Sequence, residues 1–215
     1  DTVAVTDYLR KRFGKEKIYL MGHSWGSFIG IQAAAQAPER YHAYIGVGQI
    51  TNHLESERLA YEYMLNESRV RGNAAMVQKL EAAKFEMTVP LPESYMALRD
   101  EAMHTLGVGT TREMRSVISG IFLPTWQDRE YTLREKINIW RGKWSVYSTQ
   151  LWNQVLQTDV TVKVPKLDVP AYFLHGKYDY TTSYALAKAY MQQLKAPLKG
   201  FYTYENSAHS PQYEE

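Results

Sequence analysis

The residues best suited to chemistry lie in the short stretch GHSWG, residues 22–26, where Ser24 stands near the middle. A serine hydroxyl is a weak nucleophile. It needs a neighbouring base, usually a histidine that a carboxylate orients, before it can attack a carbonyl carbon. The pattern G-x-S-x-G alone is common by chance, so the surrounding elements decide whether Ser24 is a nucleophile or a serine that caps a helix.

The elements on either side of Ser24 favour the nucleophile. A short apolar run over residues 17–21 predicts a buried strand, and the stretch SFIGIQAAAQA over residues 27–37 predicts a helix that a proline ends. A sharp strand-to-helix turn exposes a serine at the top of a sheet, and flanking glycines let this turn close without a Cβ clash. We therefore interpret Ser24 as the nucleophile, flanked by Gly22 and Gly26.

The partners of this serine are expected later in the chain, because such folds place them in the order serine, acid, histidine. Asp179 follows the predicted strand AYFLHG, and His209 follows the last predicted strand within ENSAHSP. Functional groups of an open parallel sheet gather at the carboxyl ends of its strands. Asp179 and His209 are therefore the predicted acid and base, and the backbone N–H of Trp25 would donate to the oxyanion.

Other residues remain open for these roles. Glu205 and Asp168 are weaker choices for the acid than Asp179, whose position in a turn also has a purely structural explanation. His175 lies beside the acid turn and is the best rival for the base. The remaining histidines lack a position after the last predicted strand; they are His23, His42, His53 and His104.

The chain divides into two kinds of sequence. Over residues 1–50 and 169–215, helices alternate with short buried strands, which predicts an α/β fold with a parallel sheet. Over residues 51–168, strand-like runs nearly vanish and acidic and basic residues balance. We interpret this segment as a helical insertion. Its amphipathic stretches predict helices over residues 54–72, 73–87, 94–107, 111–122 and 131–142.

Composition argues against several classes of function. The 215 residues carry a net charge of +2 with no basic stripe, so we expect neither nucleic acid nor a membrane as a partner. No apolar run of the sequence is long enough to cross a bilayer. The chain has no cysteine, which excludes disulfides and Cys-based zinc sites and favours a cytoplasmic location. The chemistry expected of Ser24 needs no metal and no organic cofactor.

Three segments around the predicted residues resemble a known family. The stretches IYLMGHSWGSFIGIQAAAQAPER, VPAYFLHGKYDYTT and YENSAHSPQYEE are similar to the nucleophile, acid and histidine segments of the α/β-hydrolase superfamily. Within it, the likeness is closest to the proline iminopeptidase-like serine hydrolases. The resemblance implies a catalytic triad of Ser24, Asp179 and His209, an acyl-enzyme intermediate, and a lid formed by residues 51–168.

The substrate remains open between a small-molecule ester and a short peptide. An aminopeptidase must bind the ammonium group of its substrate, for which Glu57, Glu62 and Asp128 of the lid are candidates. A carboxylesterase or lipase, an acyltransferase and a non-catalytic binding protein of the same fold are the alternatives. Lid aromatics either line an apolar acyl or prolyl pocket or form the core of the lid; they are Trp126, Trp140, Trp144, Tyr147 and Trp152.

The family's sheet has eight strands, and this sequence resembles only the fifth to the eighth. The loop after the third strand, which donates a second oxyanion N–H in the family, has no counterpart here. The strand that begins at Lys17 and ends at Met21 is therefore expected to have an open edge. We expect the chain to be part of a longer protein, with this edge paired to a missing N-terminal half or to a second copy.

Expressed alone, the 215-residue chain is expected to self-associate and to turn over substrate poorly. An unpaired strand edge binds other strands, and loss of one oxyanion donor costs about a hundred- to thousandfold in rate. Size-exclusion chromatography and hydrolysis of a chromogenic ester measure the two effects. A monodisperse monomer with full turnover would contradict this prediction.

Overall fold

The computed structural model describes residues 1–147 and 149–215, and only the backbone of residues 144, 146 and 147. Four parallel strands form its sheet in the order β1-β2-β3-β4. The predicted α/β fold with a parallel sheet is confirmed. The strands are β1 (Ile18–His23), β2 (Tyr41–Val47), β3 (Ala171–Gly176) and β4 (Lys199–Tyr204).

The described helices alternate with the strands at both ends of the chain and follow one another between β2 and β3. None of them combines the length and the apolar character that crossing a membrane requires. The helices are α1 (Thr2–Phe13), α2 (Trp25–Gln36), α3 (His53–Val70), α4 (Ala74–Ala83), α5 (Glu93–Leu106), α6 (Leu123–Gln127), α7 (Leu133–Tyr147), α8 (Leu151–Gln157), α9 (Val160–Lys163) and α10 (Tyr184–Gln193).

One face of the sheet forms the main hydrophobic core. α2 packs against β1 and β2, α10 packs against β3 and β4, and α1 lies on α2. The small residues of α2, such as Ala34, allow this helix to lie close to the large ring of Tyr44 on β2. Phe173 of β3 and Tyr190 of α10 complete the centre of the core, and all four side chains are buried. This layer holds the carboxyl ends of the strands in a fixed relation to one another.

The opposite face of the sheet is largely exposed in the described part of the chain. Tyr19 and Met21 of β1 are 68% and 56% exposed, and Tyr202 of β4 is 55% exposed. Together with Ile45 and Tyr172 they belong to the strand positions that point away from the main core. β1 pairs only with β2 among the described strands, so it is an edge strand.

The segment between β2 and β3 has a hydrophobic core of its own. It is built from buried side chains of α3, α4, α5 and α8, such as Met64, Leu80, Met103 and Leu156. The two ends of the segment meet where Asn52 Nδ2 donates to Asp159 Oδ2 at 3.2 Å. The helical segment therefore leaves and rejoins the sheet at one place.

The structure corrects the helix predicted over residues 111–122. Only a π-helical turn over Ile118–Phe122 forms there. Upstream of it, local side chains take the backbone donors: Thr111 Oγ1 accepts from Met114 N–H at 3.1 Å, and Ser116 Oγ accepts from Ile118 N–H at 3.1 Å. Hydroxyl groups that bond the nearby backbone compete with helix formation. The short helices α6, α8 and α9 were not among the predicted ones.

A buried ion pair joins α3 to α5 inside the helical segment. The Glu57 carboxylate is fully buried and accepts hydrogen bonds from Arg99 Nε at 2.7 Å and from the Tyr95 hydroxyl at 2.8 Å. Burial alone would raise the pKa of Glu57, but the charge of Arg99 and the donors around the carboxylate lower it to about 2. The carboxylate is therefore ionised at neutral pH, and its charge is already neutralised.

Glu57→Gln is expected to destabilise the protein by about 3–5 kcal/mol at pH 7, because it removes the buried counter-charge of the Arg99 guanidinium. Arg99 then keeps only the exposed carboxylate of Asp100, 3.2 Å from its Nη1. The pKa of Glu57 is lower in the folded state than in the unfolded state. The ionised carboxylate therefore contributes to the stability of the fold above the unfolded pKa of about 4.5, and this contribution is lost as the pH falls towards about 2. Urea unfolding at pH 7 and at pH 3 measures the free energy of unfolding of the variant and of the wild type. The difference between these two free energies should be smaller at pH 3.

The matched control is Glu62→Gln, which removes a carboxylate of the same helix that is 58% exposed and paired with Arg58. Its loss is expected to change the free energy of unfolding by less than about 1 kcal/mol. The assignment of this ion pair would be refuted if the two substitutions changed the free energy of unfolding equally. It would also be refuted if the change caused by Glu57→Gln were the same at both pH values.

Candidate active site

Ser24 occupies a strained turn between β1 and α2. Its φ of 55° and ψ of −121° lie where residues with a side chain are rarely found. The Ser24 N–H donates to the Val47 carbonyl at 2.9 Å, and the Ser24 carbonyl accepts from Ser27 N–H at 2.8 Å. Such strain persists only where its surroundings fix it, and it clusters at functional sites. The turn has the strand-turn-helix geometry of a nucleophile elbow.

The two flanking glycines are not equivalent. A Cβ at Gly22 would lie 2.3 Å from the Gly26 carbonyl oxygen, so the turn admits only glycine at position 22. A Cβ at Gly26 would meet no described atom within 4 Å. The steric role predicted for both glycines therefore applies to Gly22 and, among the described residues, is wrong for Gly26.

Asp179 and His209 form a buried hydrogen-bonded pair. Asp179 lies three residues after the end of β3, and His209 lies in the loop after β4. His209 Nδ1 lies 2.9 Å from Asp179 Oδ2, and the two residues are 6% and 1% exposed. Because an ionised carboxylate only accepts, His209 Nδ1 carries the proton and donates it. This tautomer leaves Nε2 of the neutral ring free to act as a base.

Two further residues hold the Asp179 carboxylate, and sequence reasoning missed both of these roles. Thr182 donates to Asp179 twice at 2.8 Å, from its N–H to Oδ1 and from its hydroxyl to Oδ2. His175 Nε2 lies 3.1 Å from Asp179 Oδ2 and 2.9 Å from the Thr182 carbonyl oxygen. His175, the rival for the base in the sequence, is thus buried behind the acid. The one sequence signal for Thr182 is the Asp-Tyr-Thr-Thr spacing, which is typical of a turn held by the aspartate side chain. This signal was not used.

The environment of Asp179 keeps its carboxyl group ionised. Burial alone would raise the pKa of Asp179, but the charge of His209 and hydrogen bonds from His175 and His209 hold this pKa well below its ordinary value. A buried carboxylate with several donors stabilises a neighbouring imidazolium. The pair can therefore accept a proton at His209 and keep the positive charge there.

The elbow and the His209 loop are in direct contact. His23 Nε2 lies 2.9 Å from the His209 carbonyl oxygen, and the centroids of the two rings are 4.8 Å apart. Gly48, in the loop after β2, lies against the His209 ring. A Cβ at this glycine would lie 2.9 Å from His209 Cε1, so a larger residue would displace the ring. Burial is the main cause that lowers the pKa of His23, and the charge of His209 is the second. Among the described hydrogen bonds, none joins the Ser24 hydroxyl to His209.

A cavity of about 720 Å³ opens beside the elbow, with Trp25 in its wall. The Trp25 ring lies 5.5 Å from the Trp152 ring, centroid to centroid. The N–H of Trp25 is the first of α2, where helical N–H groups lack a partner within the helix. The volume is in the range of sites for small molecules. The charged side chains that line it are Glu93, Arg99, Asp100 and Lys143.

The lid carboxylates singled out in the sequence do not line this cavity. Glu57 is paired with Arg99, Glu62 is paired with Arg58 on the surface, and Asp128 accepts the Glu130 N–H at 2.7 Å. Glu93 and Asp100 take their place in the wall, and sequence reasoning missed both of them.

Of the lid aromatics, Trp152 lines this cavity. Trp126 and Trp140 line a separate surface groove with Phe122. The side chains of Trp144 and Tyr147 lie outside the described residues.

Comparison with known proteins gives matches over the whole chain. The family described as alpha/beta hydrolase fold matches residues 1–215. The probable aminopeptidase YbaC of Bacillus subtilis (strain 168) is 29% identical over 218 residues, which cover 100% of this chain and 66% of the relative. The crystal structure of proline iminopeptidase from Mycobacterium smegmatis is similar with a TM-score of 0.65 at 13% identity, covering 96% of this chain and 63% of that one.

The crystal structure of VinJ is also similar, with a TM-score of 0.58 at 19% identity over 97% of this chain and 64% of that one. At these identities the two structures show a shared fold. The chain spans 66% of the length of the curated relative that it matches.

Gly22→Ala and Gly26→Ala test the elbow as a matched pair. Gly22→Ala forces a Cβ against the backbone of Gly26, so we expect it to destabilise the fold by about 2 kcal/mol or more. Gly26→Ala adds a methyl group to open space within α2 and is expected to be neutral or to stabilise by up to about 1 kcal/mol. Thermal unfolding of both variants measures the contrast. Similar melting temperatures would show that the elbow is not packed as described.

Proposed function

Because the chain belongs to the α/β-hydrolase fold family, we propose that it is a serine hydrolase that cleaves an ester or amide bond. Ser24 is the nucleophile, His209 the general base and Asp179 the acid that orients it. The observation that carries the proposal is the buried Asp179–His209 hydrogen bond of 2.9 Å beside a strained serine elbow. A hydroxyl becomes a useful nucleophile only where such a base is available.

In the proposed reaction, His209 Nε2 takes the proton of the Ser24 hydroxyl as the oxygen attacks the substrate carbonyl carbon. The Trp25 N–H donates to the oxyanion that forms. His209 then protonates the leaving group, and a water molecule that His209 deprotonates releases the acyl group. In structures without substrate, hydrogen bonds between nucleophile and base are often long. The Ser24–His209 bond of the reaction is therefore expected to form when substrate closes the site.

The substrate that we propose is a short peptide with a free amino terminus, and a small carboxylic ester is the second candidate. Two observations favour the peptide: a relative named probable aminopeptidase and the carboxylates of Glu93 and Asp100 in the cavity wall. Asp100 lies 3.2 Å from Arg99 Nη1 and is therefore already paired. Glu93 has no ion-pair partner among the described residues, so its carboxylate is the better candidate for the ammonium group. The apolar surface of Trp25 and Trp152 suits an acyl or prolyl group in either case.

We also propose a partner for the exposed edge and face of the sheet. The edge strand β1 presents unpaired backbone groups, and Tyr19 and Met21 present apolar surface beside them. The proposed partner is the N-terminal half of a longer protein or a second copy of this chain. The N-terminal half, as the partner, would also supply the second oxyanion donor. The cytoplasmic location expected from the sequence stays a prediction.

Reaction with a fluorophosphonate probe tests the nucleophile, because labelling requires an activated serine but no complete turnover. Ser24 is expected to be labelled, Ser24→Ala to abolish labelling, and the exposed Ser119→Ala to leave it unchanged. Asp179→Asn is expected to slow labelling by about 10³–10⁴-fold, since the wrong tautomer of His209 is then favoured.

Hydrolysis of a panel of p-nitrophenyl esters and prolyl anilides then separates esterase from aminopeptidase. Preference for anilides with a free amino group is expected. A chain that binds these compounds without labelling at Ser24 would be a binding protein, and the proposed function would be wrong.

A further inference from the structure

One turn of the helical segment contacts both loops that carry the proposed acid and base. This lid turn, residues 107–112, follows α5. The Tyr180 N–H donates to the Val108 carbonyl at 3.3 Å, and the His209 N–H donates to the Gly109 carbonyl at 3.2 Å. Tyr180 directly follows the acid in the chain. Two adjacent carbonyl groups of the lid turn thus set the separation of the two loops.

Glu214 makes a second connection between the lid turn and the His209 loop. Its Oε1 accepts the Arg112 N–H at 2.5 Å, and its Oε2 accepts the Ala208 N–H at 2.8 Å. Ala208 directly precedes His209. The Arg112 guanidinium lies 3.5 Å above the centre of the Tyr178 ring, next to the acid in the chain. One carboxylate therefore joins the backbone before the base to the lid.

The lid turn has little freedom to adjust. A Cβ at Gly109 would lie 2.6 Å from His104 Cδ2, and the His104 ring accepts the Thr110 N–H at 3.3 Å through Nε2. The same helix α5 that ends in this turn contributes Glu93 and Asp100 to the cavity wall. α5 therefore runs from the wall of the proposed substrate site to the turn that bonds the loops of the proposed acid and base.

We propose that Glu214, acting with the lid turn, is a positioning residue for the Asp179–His209 hydrogen bond. The inference rests on the proposed function and adds a role for the lid beyond covering substrate. Without the Glu214 carboxylate, the Ala208 N–H loses its partner. At His209 itself, the described backbone bonds that remain are those to Gly109 and His23. The Nδ1–Oδ2 contact then lengthens, and the imidazolium that forms in the reaction is less stabilised.

The test compares Glu214→Ala with Glu215→Ala in the full 215-residue chain. Glu215 is the matched control, because its carboxylate accepts the Asn206 N–H at 3.1 Å and has no described bond to the lid turn. Proton NMR of the low-field Nδ1–H signal of His209 reports the contact with Asp179 directly. The rate of fluorophosphonate labelling at Ser24, measured over a series of pH values, reports the base.

Glu214→Ala is expected to remove the low-field signal or shift it upfield, and to slow labelling about tenfold. The acid limb of the labelling profile should move to lower pH, because a weaker contact with Asp179 favours the imidazolium less. Glu214→Gln keeps one acceptor oxygen and should give an intermediate result, which provides the test if the alanine variant fails to fold. Glu215→Ala should match the wild type in both measurements.

The proposal is overturned if the signal and the pH profile of Glu214→Ala, or of a folded Glu214→Gln, equal those of the wild type. It is also overturned if labelling slows while the signal and the acid limb stay in place, since that pattern shows general destabilisation. Failure of the wild type to label at Ser24 contradicts the proposed function instead. The NMR comparison of the variants still decides the positioning role in that case.

Discussion

The hydrogen bond between Asp179 and His209 is the interaction on which the arrangement of the site depends. Both side chains are buried, and a buried carboxylate is tolerated only when it is paired and hydrogen-bonded. Thr182 and His175 supply the remaining donors, so the acid is held from several directions. The neighbouring parallel strands β3 and β4 bring the two loops together, with Gly176 opposite Tyr204 at their carboxyl ends. The sheet therefore places the loops of the acid and the base side by side.

The strained serine elbow depends on a second buried network, which joins α2 to the loop after β2. The Ser27 hydroxyl donates to the Ser24 carbonyl at 2.5 Å and accepts the Ile50 N–H at 2.9 Å. The Tyr44 hydroxyl lies 2.9 Å from the Ser27 carbonyl oxygen and 2.7 Å from Gln49 Oε1. A strained residue of this kind costs about 1–3 kcal/mol and persists only where its surroundings over-determine it. These contacts tie the backbone of the serine to the end of the neighbouring strand β2.

Sequence reasoning singled out those residues of the proposed site that lie in clear local patterns. Ser24, Asp179 and His209 each lie in a short turn directly after a predicted strand, and parallel strands carry such turns to one edge of the sheet. The structure brings Asp179 and His209 into contact, and His23, next to Ser24 in the chain, contacts His209. The Ser24–His209 bond and the oxyanion role of Trp25 remain proposals. Amphipathic spacing likewise predicted the main helices of the lid.

What the sequence could not show is which residues meet across long separations. Periodicity places Glu57 and Arg99 on helices, but it does not reveal that they neutralise each other, so Glu57 was a plausible substrate ligand until its partner was known. The same limit hid Glu93 in the cavity wall. The helix predicted over residues 111–122 failed for a local reason instead, because the hydroxyl groups of Thr111 and Ser116 bond nearby backbone N–H groups.

A chain of contacts joins the helical segment between β2 and β3 to the serine elbow. The Glu57–Arg99 pair is compensated inside the lid, which leaves the net charge of the cavity to Glu93, Asp100 and Lys143. His53 lies 3.4 Å from the Glu57 carboxylate and packs edge-on against Trp152, whose ring in turn lies against Trp25. A change in the packing of the lid core is thus transmitted by contact to the residue whose N–H faces the proposed oxyanion. The turn that follows α5, one of the helices of the cavity wall, also bonds both loops that carry the proposed acid and base.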